Sequence, residues 1–200
     1  MWARLESNTI VEILTRPKAL QIGGVQYPSN IFSMWTEAEL AVIGIVPVTI
    51  DGTNLKDNNY YINTDITYAY DTETGKATGT YGTATAKAIA DTLYTAQDET
   101  DGFGTEGEVK AKGLKTLHKE SINLQAGSIL QPTDWMVVRA AEGGTAVPSG
   151  IKTKRAAVRT KANAMCTQID AASDVPALMA LYVYNTANPP VRPLGELPTV

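Results

Sequence analysis

Apolar and polar positions change their period part-way along this chain. Up to residue 82 they alternate in short runs divided by turn residues, and beyond residue 105 they recur at three and four. Alternation marks half-buried strands, and the longer period marks amphipathic helices. Residues 2–6 and 9–14 flank Ser7 and Asn8, a hairpin pattern in which asparagine readily takes the left-handed turn conformation. In the second strand Ile10, Glu12 and Leu14 share one face and Val11 and Ile13 the other. Gln21, Ile22, Gly23, Gly24, Val25, Gln26 and Tyr27 read as a second small hairpin or tight turn. Thr36 and Glu39 have the spacing of a capping box, which predicts a short helix over 37–43 stopped by Gly44. Trp35, just before the cap, is placed to staple onto the first turn of that helix, and packing is preferred to ligand stacking as its role. Residues 45–50 then read as a strand, moved toward a sheet edge by Pro47.

Between residues 59 and 81 the pattern is β again, with Tyr60, Tyr61, Tyr68, Tyr70 and Tyr81 supplying strand-favouring aromatics. Residues 71–76 form a turn between strands at 67–70 and 77–81. Three readings of the tyrosines stand side by side. They pack across strands of a two-sided ribbon, they line a sugar-binding face, or they belong to an exposed strand pair that docks on another β-structure.

The second half reads as helices. Residues 83–98 have helical composition, with Ala86, Ile89, Ala90 and Leu93 on one stripe. The acidic, glycine-containing stretch at 98–105 breaks it. Thr105 and Glu108 have capping-box spacing, and the helix they open runs to Leu130, about 25 residues or roughly 37 Å. Its stripe is Leu114, Leu117, Ser121, Leu124 and Ser128, narrow enough for close helix–helix contact. Pro132 ends it. Thr133 and Asp134 offer a new N-cap, leading into a tryptophan, Trp135, expected to be buried and to join the two long helices. After a loop at 142–149, a last long helix over 149–172 places Ile151, Val158, Ala162, Met165 and Ile169 on one face. Asp174 caps a short final helix with Pro176 in its first turn. Pro189, Pro190, Pro193 and Pro198 then imply an extended tail. The expected fold class is α+β. A small antiparallel β-rich domain (1–82) is followed by a helix and acidic linker (83–104), a helical hairpin or bundle (105–183) and the tail (184–200).

Composition narrows the chemistry. The chain has 200 residues, 44% of them hydrophobic, which suffices for a packed core. No apolar run approaches the roughly 20 residues of a membrane helix, and the N-terminus has no apolar signal core, so use in the cytosol, or packaging from there, is expected. The net charge of −4 is uneven: six basic and thirteen acidic residues up to 102, eleven and eight after it. Lys152, Lys154, Arg155, Arg159 and Lys161 form a basic cluster. Such clusters contact phosphates, but stacking aromatics are missing here. A solvated helix face and an acidic protein partner are the readings kept, and no nucleic-acid or membrane partner is expected. Cys166 and His118 are single residues of their types, too few for a zinc site of the usual kind. Cys166 reads as a small apolar residue and His118 as a solvated or core-edge one. Gly23 and Gly24 lack the lysine and helix of a phosphate loop. No catalytic, metal or cofactor-binding residue is assigned, and no enzyme is expected.

Three stretches together resemble a known family. Trp2, Ala3, Arg4, Leu5 and Glu6 with Val11 and Glu12, followed by Ala41, Val42, Ile43, Gly44, Ile45, Val46, Pro47 and Val48, resemble the N-terminal module of many phage tail-associated proteins. The tyrosine-rich hairpin from Tyr68 to Tyr81 also occurs in such proteins. Gly113, Leu114 and Lys115 onward to Leu130, Thr133-Asp134-Trp135, the R-x-x-x-R of Arg155 and Arg159, and Pro176-Ala177-Leu178 resemble the helical C-terminal region of tailed-phage tail fibre assembly proteins. The likeness covers about residues 1–50 and 105–183. One departure is the end of the chain, where relatives often carry a tryptophan-proline segment and this chain has Val191, Arg192, Pro193 and Leu194. The resemblance implies a bacteriophage chaperone that binds a trimeric tail fibre protein in the host cytoplasm during assembly and in some cases stays in the virion tail. The alternatives are a permanent structural component of fibre or baseplate and a host-glycan receptor-binding module. The candidate partner-binding residues are Tyr60, Tyr61, Tyr68, Tyr70 and Tyr81 on the β-ribbon, and Ile151, Val158, Met165 and Ile169 on the last long helix for self-association.

Overall fold

Ser7 and Asn8 both take positive φ, 49° and 63°, and their turn closes strands β1 (Trp2–Glu6) and β2 (Thr9–Leu14). Two successive left-handed residues match the right-handed twist of the flanking strands. The computed structural model describes residues 1–200 and shows an α+β fold, 36% helix and 22% strand, so neither class dominates. The chain divides into two compact units, Met1–Thr85 and Ala86–Val200.

In the first unit a small ribbon of β3 (Leu20–Ile22) and β4 (Val25–Tyr27) follows the opening hairpin. Helices α1 (Ile31–Met34) and α2 (Glu37–Val42) come next, the second opened by the expected capping box of Thr36 and Glu39. Gly44 ends α2 at φ 79°. Only glycine fits there: a Cβ would lie 2.7 Å from the Leu5 carbonyl oxygen, while the Leu5 amide donates to the Gly44 carbonyl at 2.7 Å. That turn lays β5 (Ile45–Asp51) against β1. After the short β6 (Tyr61–Ile62), the hairpin of β7 (Ile66–Asp71) and β8 (Lys76–Tyr81) completes a five-stranded sheet of order β2-β1-β5-β8-β7. The sheet is mixed, not purely antiparallel: β8 inserts between β5 and β7 and runs parallel to β5.

The two faces of this sheet are buried differently. Leu14, Leu20, Ile31, Leu40 and Ile45 form one cluster, flanked by Trp2, Tyr27, Phe32 and Trp35, where α1, α2 and the β3–β4 ribbon cover the sheet. The opposite face carries Ala3, Val46 and Ala77 with Leu5, Ile10, Ile13, Val48 and Tyr70, drawn from all five strands. The sheet is a half-barrel curled around this second face. Small residues allow the curl. At Gly79 a Cβ would meet Ile50, Tyr68 and Ile66 side chains at 2.8–2.9 Å.

The second unit begins with extended chain where sequence periodicity predicts a helix. Between β9 (Thr85–Ala86), at the boundary of the units, and β10 (Thr92–Leu93) there is no helix, and α3 spans only Ala96–Thr100. The reason lies in α4 (Leu114–Leu130). Its first amides have no partners of their own. Leu114 and Lys115 donate to the carbonyls of Ala88 and Ile89 at 3.0 Å, and Asp91 accepts from the Gly113 amide at 2.7 Å and the Thr116 hydroxyl at 2.9 Å. Residues 88–91 are thus the cap of α4, a use that requires them extended. Thr105 and Glu108 cap nothing. The Tyr94 amide donates to the Glu108 carbonyl at 2.9 Å and the Gly107 amide to the Tyr94 carbonyl at 3.0 Å, forming a ribbon of β10 with β11 (Val109–Ala111).

A 3-10 turn at Gln131–Thr133 runs from α4 into α5 (Asp134–Ala141), and α6 (Ser149–Ala171) returns antiparallel to α4. Val158, Ala162, Met165 and Ile169 are buried on α6, as the periodicity predicts. On α4 the buried positions are Leu114, Ile122 and Ala126, while Leu117 and Leu124 are exposed. The expected stripe therefore holds at Leu114 and departs from the buried face beyond it, where Leu117, Ser121, Leu124 and Ser128 are exposed. α7 (Val175–Ala180) has the predicted Asp174 cap, 2.8 Å from the Ala177 amide. The proline-rich segment is not a loose tail. Leu194 is fully buried, its amide donates to the Leu181 carbonyl at 3.0 Å, and Lys161 donates to its carbonyl at 2.9 Å.

Candidate functional site

Strand β7 sits at one edge of the half-barrel and pairs on one side only, with β8. Edge strands are normally blunted by lysine, proline or bulges. Ile66, Thr67, Tyr68, Ala69 and Tyr70 contain none of these. The one charge, Asp71, is consumed by the turn: it accepts from the Glu73 amide at 2.9 Å and the Thr74 hydroxyl at 2.7 Å, and the hydroxyl chiefly holds its carboxyl below the usual range. The opposite edge, β2, is guarded by Glu12, which bonds Lys18 and lies 3.4 Å from Arg4.

The five candidate tyrosines are all half-buried. Tyr70 packs with the cluster of Ala3, Val46 and Ala77, and Tyr68 lies over Gly79. Both rings face their own sheet, leaving Thr67 and Ala69 on the exposed side of β7. Tyr81 pairs with Ile66 at the far end of the hairpin. Tyr60 and Tyr61 lie apart from these, Tyr60 in a turn and Tyr61 at the start of β6, their amides donating to the Asp57 carbonyl at 3.0 and 2.9 Å. Burial, then the charge of Asp57, pushes the Tyr60 hydroxyl above its ordinary range. The tyrosines therefore form no continuous outward platform. What the edge offers is backbone.

The self-association residues on α6 are placed differently from expectation. Val158, Met165 and Ile169 are core side chains and present no surface, and Ile151 is half-buried. Trp135 is 55% exposed, with the Arg139 guanidinium 4.8 Å from its ring centre, so it does not join the long helices. The residue that does is Arg155, 8% exposed. Its guanidinium donates to the Leu130 carbonyl at 2.7 Å, the Thr133 hydroxyl at 2.5 Å and Asp134 at 2.6 Å, fixing the α4–α5 junction to α6. Thr133 and Asp134, a capping pair by sequence, act here as acceptors for that cation. The paired arginines of the R-x-x-x-R spacing were the available signal.

The basic cluster divides accordingly. Arg155 and Lys161 hold internal acceptors, whereas Lys152, Lys154 and Arg159 are exposed and make no ion pair. At the opposite end of the helix pair, Lys119 bonds the Asp170 carboxylate at 2.7 Å and Lys115 the Asp170 carbonyl at 2.8 Å. His118 lies 2.7 Å from the Tyr182 hydroxyl, and burial lowers its pKa. Cys166 is half-buried against Asn123, and burial pushes its thiol up. No three His, Cys, Asp or Glu side chains gather as a metal would require, and no helix is long and apolar enough to cross a membrane.

No family model, curated protein or solved structure matches this chain. Val42, 86% exposed at the end of α2, and Leu124, 74% exposed on α4, are apolar positions that the sequence patterns did not single out as exposed.

Proposed function

We propose that this chain is a tail fibre assembly chaperone of a tailed phage and that it holds its partner by strand addition at β7. The observation that carries the reading is β7, an edge strand of the half-barrel with no charge outside its turn, while the other edge, β2, carries Glu12 paired with Lys18 and Arg4. An unpaired, uncharged strand is a template for another chain's backbone. An untrimerised fibre tip exposes such strands, and pairing covers them until the trimer closes. The likeness of residues 1–50 and 105–183 to tail fibre assembly proteins supports the choice of partner. The α6 residues Val158, Met165 and Ile169 are outside this proposal because they are buried.

Co-expression with the tail fibre protein of the same phage tests it. Fibre trimer yield is expected to rise with the wild-type chain and to fall back with the Thr67→Lys/Ala69→Lys variant, which charges the exposed side of the edge. Unchanged trimer yield with and without the chain sinks the reading. Mass spectrometry of purified particles then separates a released chaperone from a retained component: stoichiometric presence means the chain stays on the fibre.

A further inference from the structure

At the N-terminal half of α6, the helix, α5 and the loop at 142–148 enclose a pocket of about 360 Å³. Val137 and Ala140 of α5 and Ala146 and Val147 of the loop give it an apolar floor, and Lys152, Arg155 and Arg159 line the α6 side. The three cations are spaced at three and four residues, so they share one helix face. Arg155 already spends three of its five N–H donors on Leu130, Thr133 and Asp134. Lys152 and Arg159 make no hydrogen bond or ion pair. The first turn of α6 adds to the imbalance, having no acidic residue and no side-chain cap at Pro148. Uncapped amides and the helix dipole reinforce positive potential there. Lys152, at the end of the first turn, opposes the helix dipole, so its presence there is not explained by helix stability.

From this juxtaposition we infer that the pocket is a docking site for an acidic peptide segment of a protein partner. It seats a carboxylate between Lys152 and Arg159 and a neighbouring apolar side chain on Val137, Ala140 and Val147. Charge complementarity selects the occupant: two free cations on the rim ask for carboxylates, and the apolar floor asks for an adjoining hydrophobic side chain. The volume matches one or two side chains, being at the lower end of small-ligand pockets. No aromatic ring lines the pocket to stack a base, which places a peptide ahead of nucleic acid. This site lies wholly in the second unit and does not rest on the edge-strand reading.

The test is calorimetric titration of the full chain with an acetylated, amidated pentapeptide alternating glutamate and leucine. Two comparison ligands are the same peptide with glutamine for glutamate, and a short oligothymidylate. The acidic peptide is expected to bind with an affinity that falls as salt rises, and the glutamine peptide to bind at least about tenfold more weakly. Lys152→Glu/Arg159→Glu should weaken the acidic peptide by about tenfold or more. Both positions are exposed, so the fold is retained, and Lys152→Gln/Arg159→Gln gives an intermediate loss should the reversal perturb it. Val147→Ser, on the floor, should weaken binding by removing apolar surface while adding no charge beside the cations. Absence of acidic-peptide binding at about 1 mM, binding that survives both double variants, or tighter binding of oligothymidylate each overturns the inference.

Discussion

The two units are held together by different means. In the first, both faces of one sheet are buried by apolar side chains, and charges such as Arg4, Glu12 and Lys18 stay at the periphery. In the second, apolar burial along α4 and α6 is narrow, and polar groups set the geometry at both ends: Asp91 with Lys115, Lys119 and Asp170 at one, Arg155 with its three acceptors at the other. Apolar contact is tolerant of small slides, whereas a guanidinium with three acceptors is satisfied in one arrangement only. The sheet unit gains its shape from packing, and the helical unit gains its register from directed bonds.

The sharpest test of this contrast is a neighbouring pair on α4. Ile122→Ala should cost about 3 kcal/mol in urea unfolding followed by helical circular dichroism, whereas Leu124→Ala should stay within about 0.5 kcal/mol. Equal costs would mean the buried face is misassigned. Arg155→Ala comes next, at about 2–3 kcal/mol, discounted because Asp134 is half-exposed and regains water. Arg155→Met, which keeps volume but not direction, should recover part of the stability while broadening the near-ultraviolet signal of Trp135; full recovery with unchanged spectra would remove the case for a directing role. In the first unit, Gly79→Ala should cost about 1–3 kcal/mol by crowding Tyr68 and Ile50, read by the fluorescence of Trp2 and Trp35.

The smallest effects are those of pH, and both belong to the second unit. Burial holds His118 below its ordinary 6.5, so the unfolded chain binds more protons there. Stability should therefore fall as pH drops through 6.5 toward the lower folded value, and His118→Gln should flatten that slope. Asp98 is held down to about 2 by Lys110 and by the Thr95 amide and hydroxyl. Its contribution is complete above the unfolded value near 3.8 and is lost as pH falls through about 2. An acid limb unaltered by Asp98→Asn would show that this cluster is not part of the acid transition.

Features set by neighbours in sequence were legible, and features set by distant partners were not. The Ser7-Asn8 turn, the Thr36–Glu39 box, the β7–β8 hairpin and the Asp174 cap each depend on residues a few positions apart. Residues 88–91 have a helix former's composition, but α4 needs their carbonyls, a demand that arises some 25 residues away. On α4 the stripe holds at Leu114 but not at Leu117 and Leu124, because α6 packs beside Ile122 and Ala126 and the small alanine decides the approach. Leu194 was hidden by the prolines around it. At the candidate site, the tyrosines are visible in the sequence by their type, yet the position of β7 at a sheet edge is a property of strand order, which no local pattern displays. The basic cluster was visible as a count, but the division between engaged and free cations needed the fold.

The parallel seam between β5 and β8 has a consequence for the order of assembly. β1–β2 and β7–β8 are each joined by a tight turn and can form alone, whereas β5 and β8 meet only when a finished hairpin arrives from a distance in sequence. Short-range pairings form early and long-range ones late, so pulse-labelled amides of β7 and β8 should be protected before those of β5. Until the seam closes, β8 has a vacant side, and the β7–β8 hairpin of one copy fits β5 of another as well as its own. Crowded synthesis of this chain should therefore yield exchanged dimers as its characteristic by-product, separable by size and slow to revert.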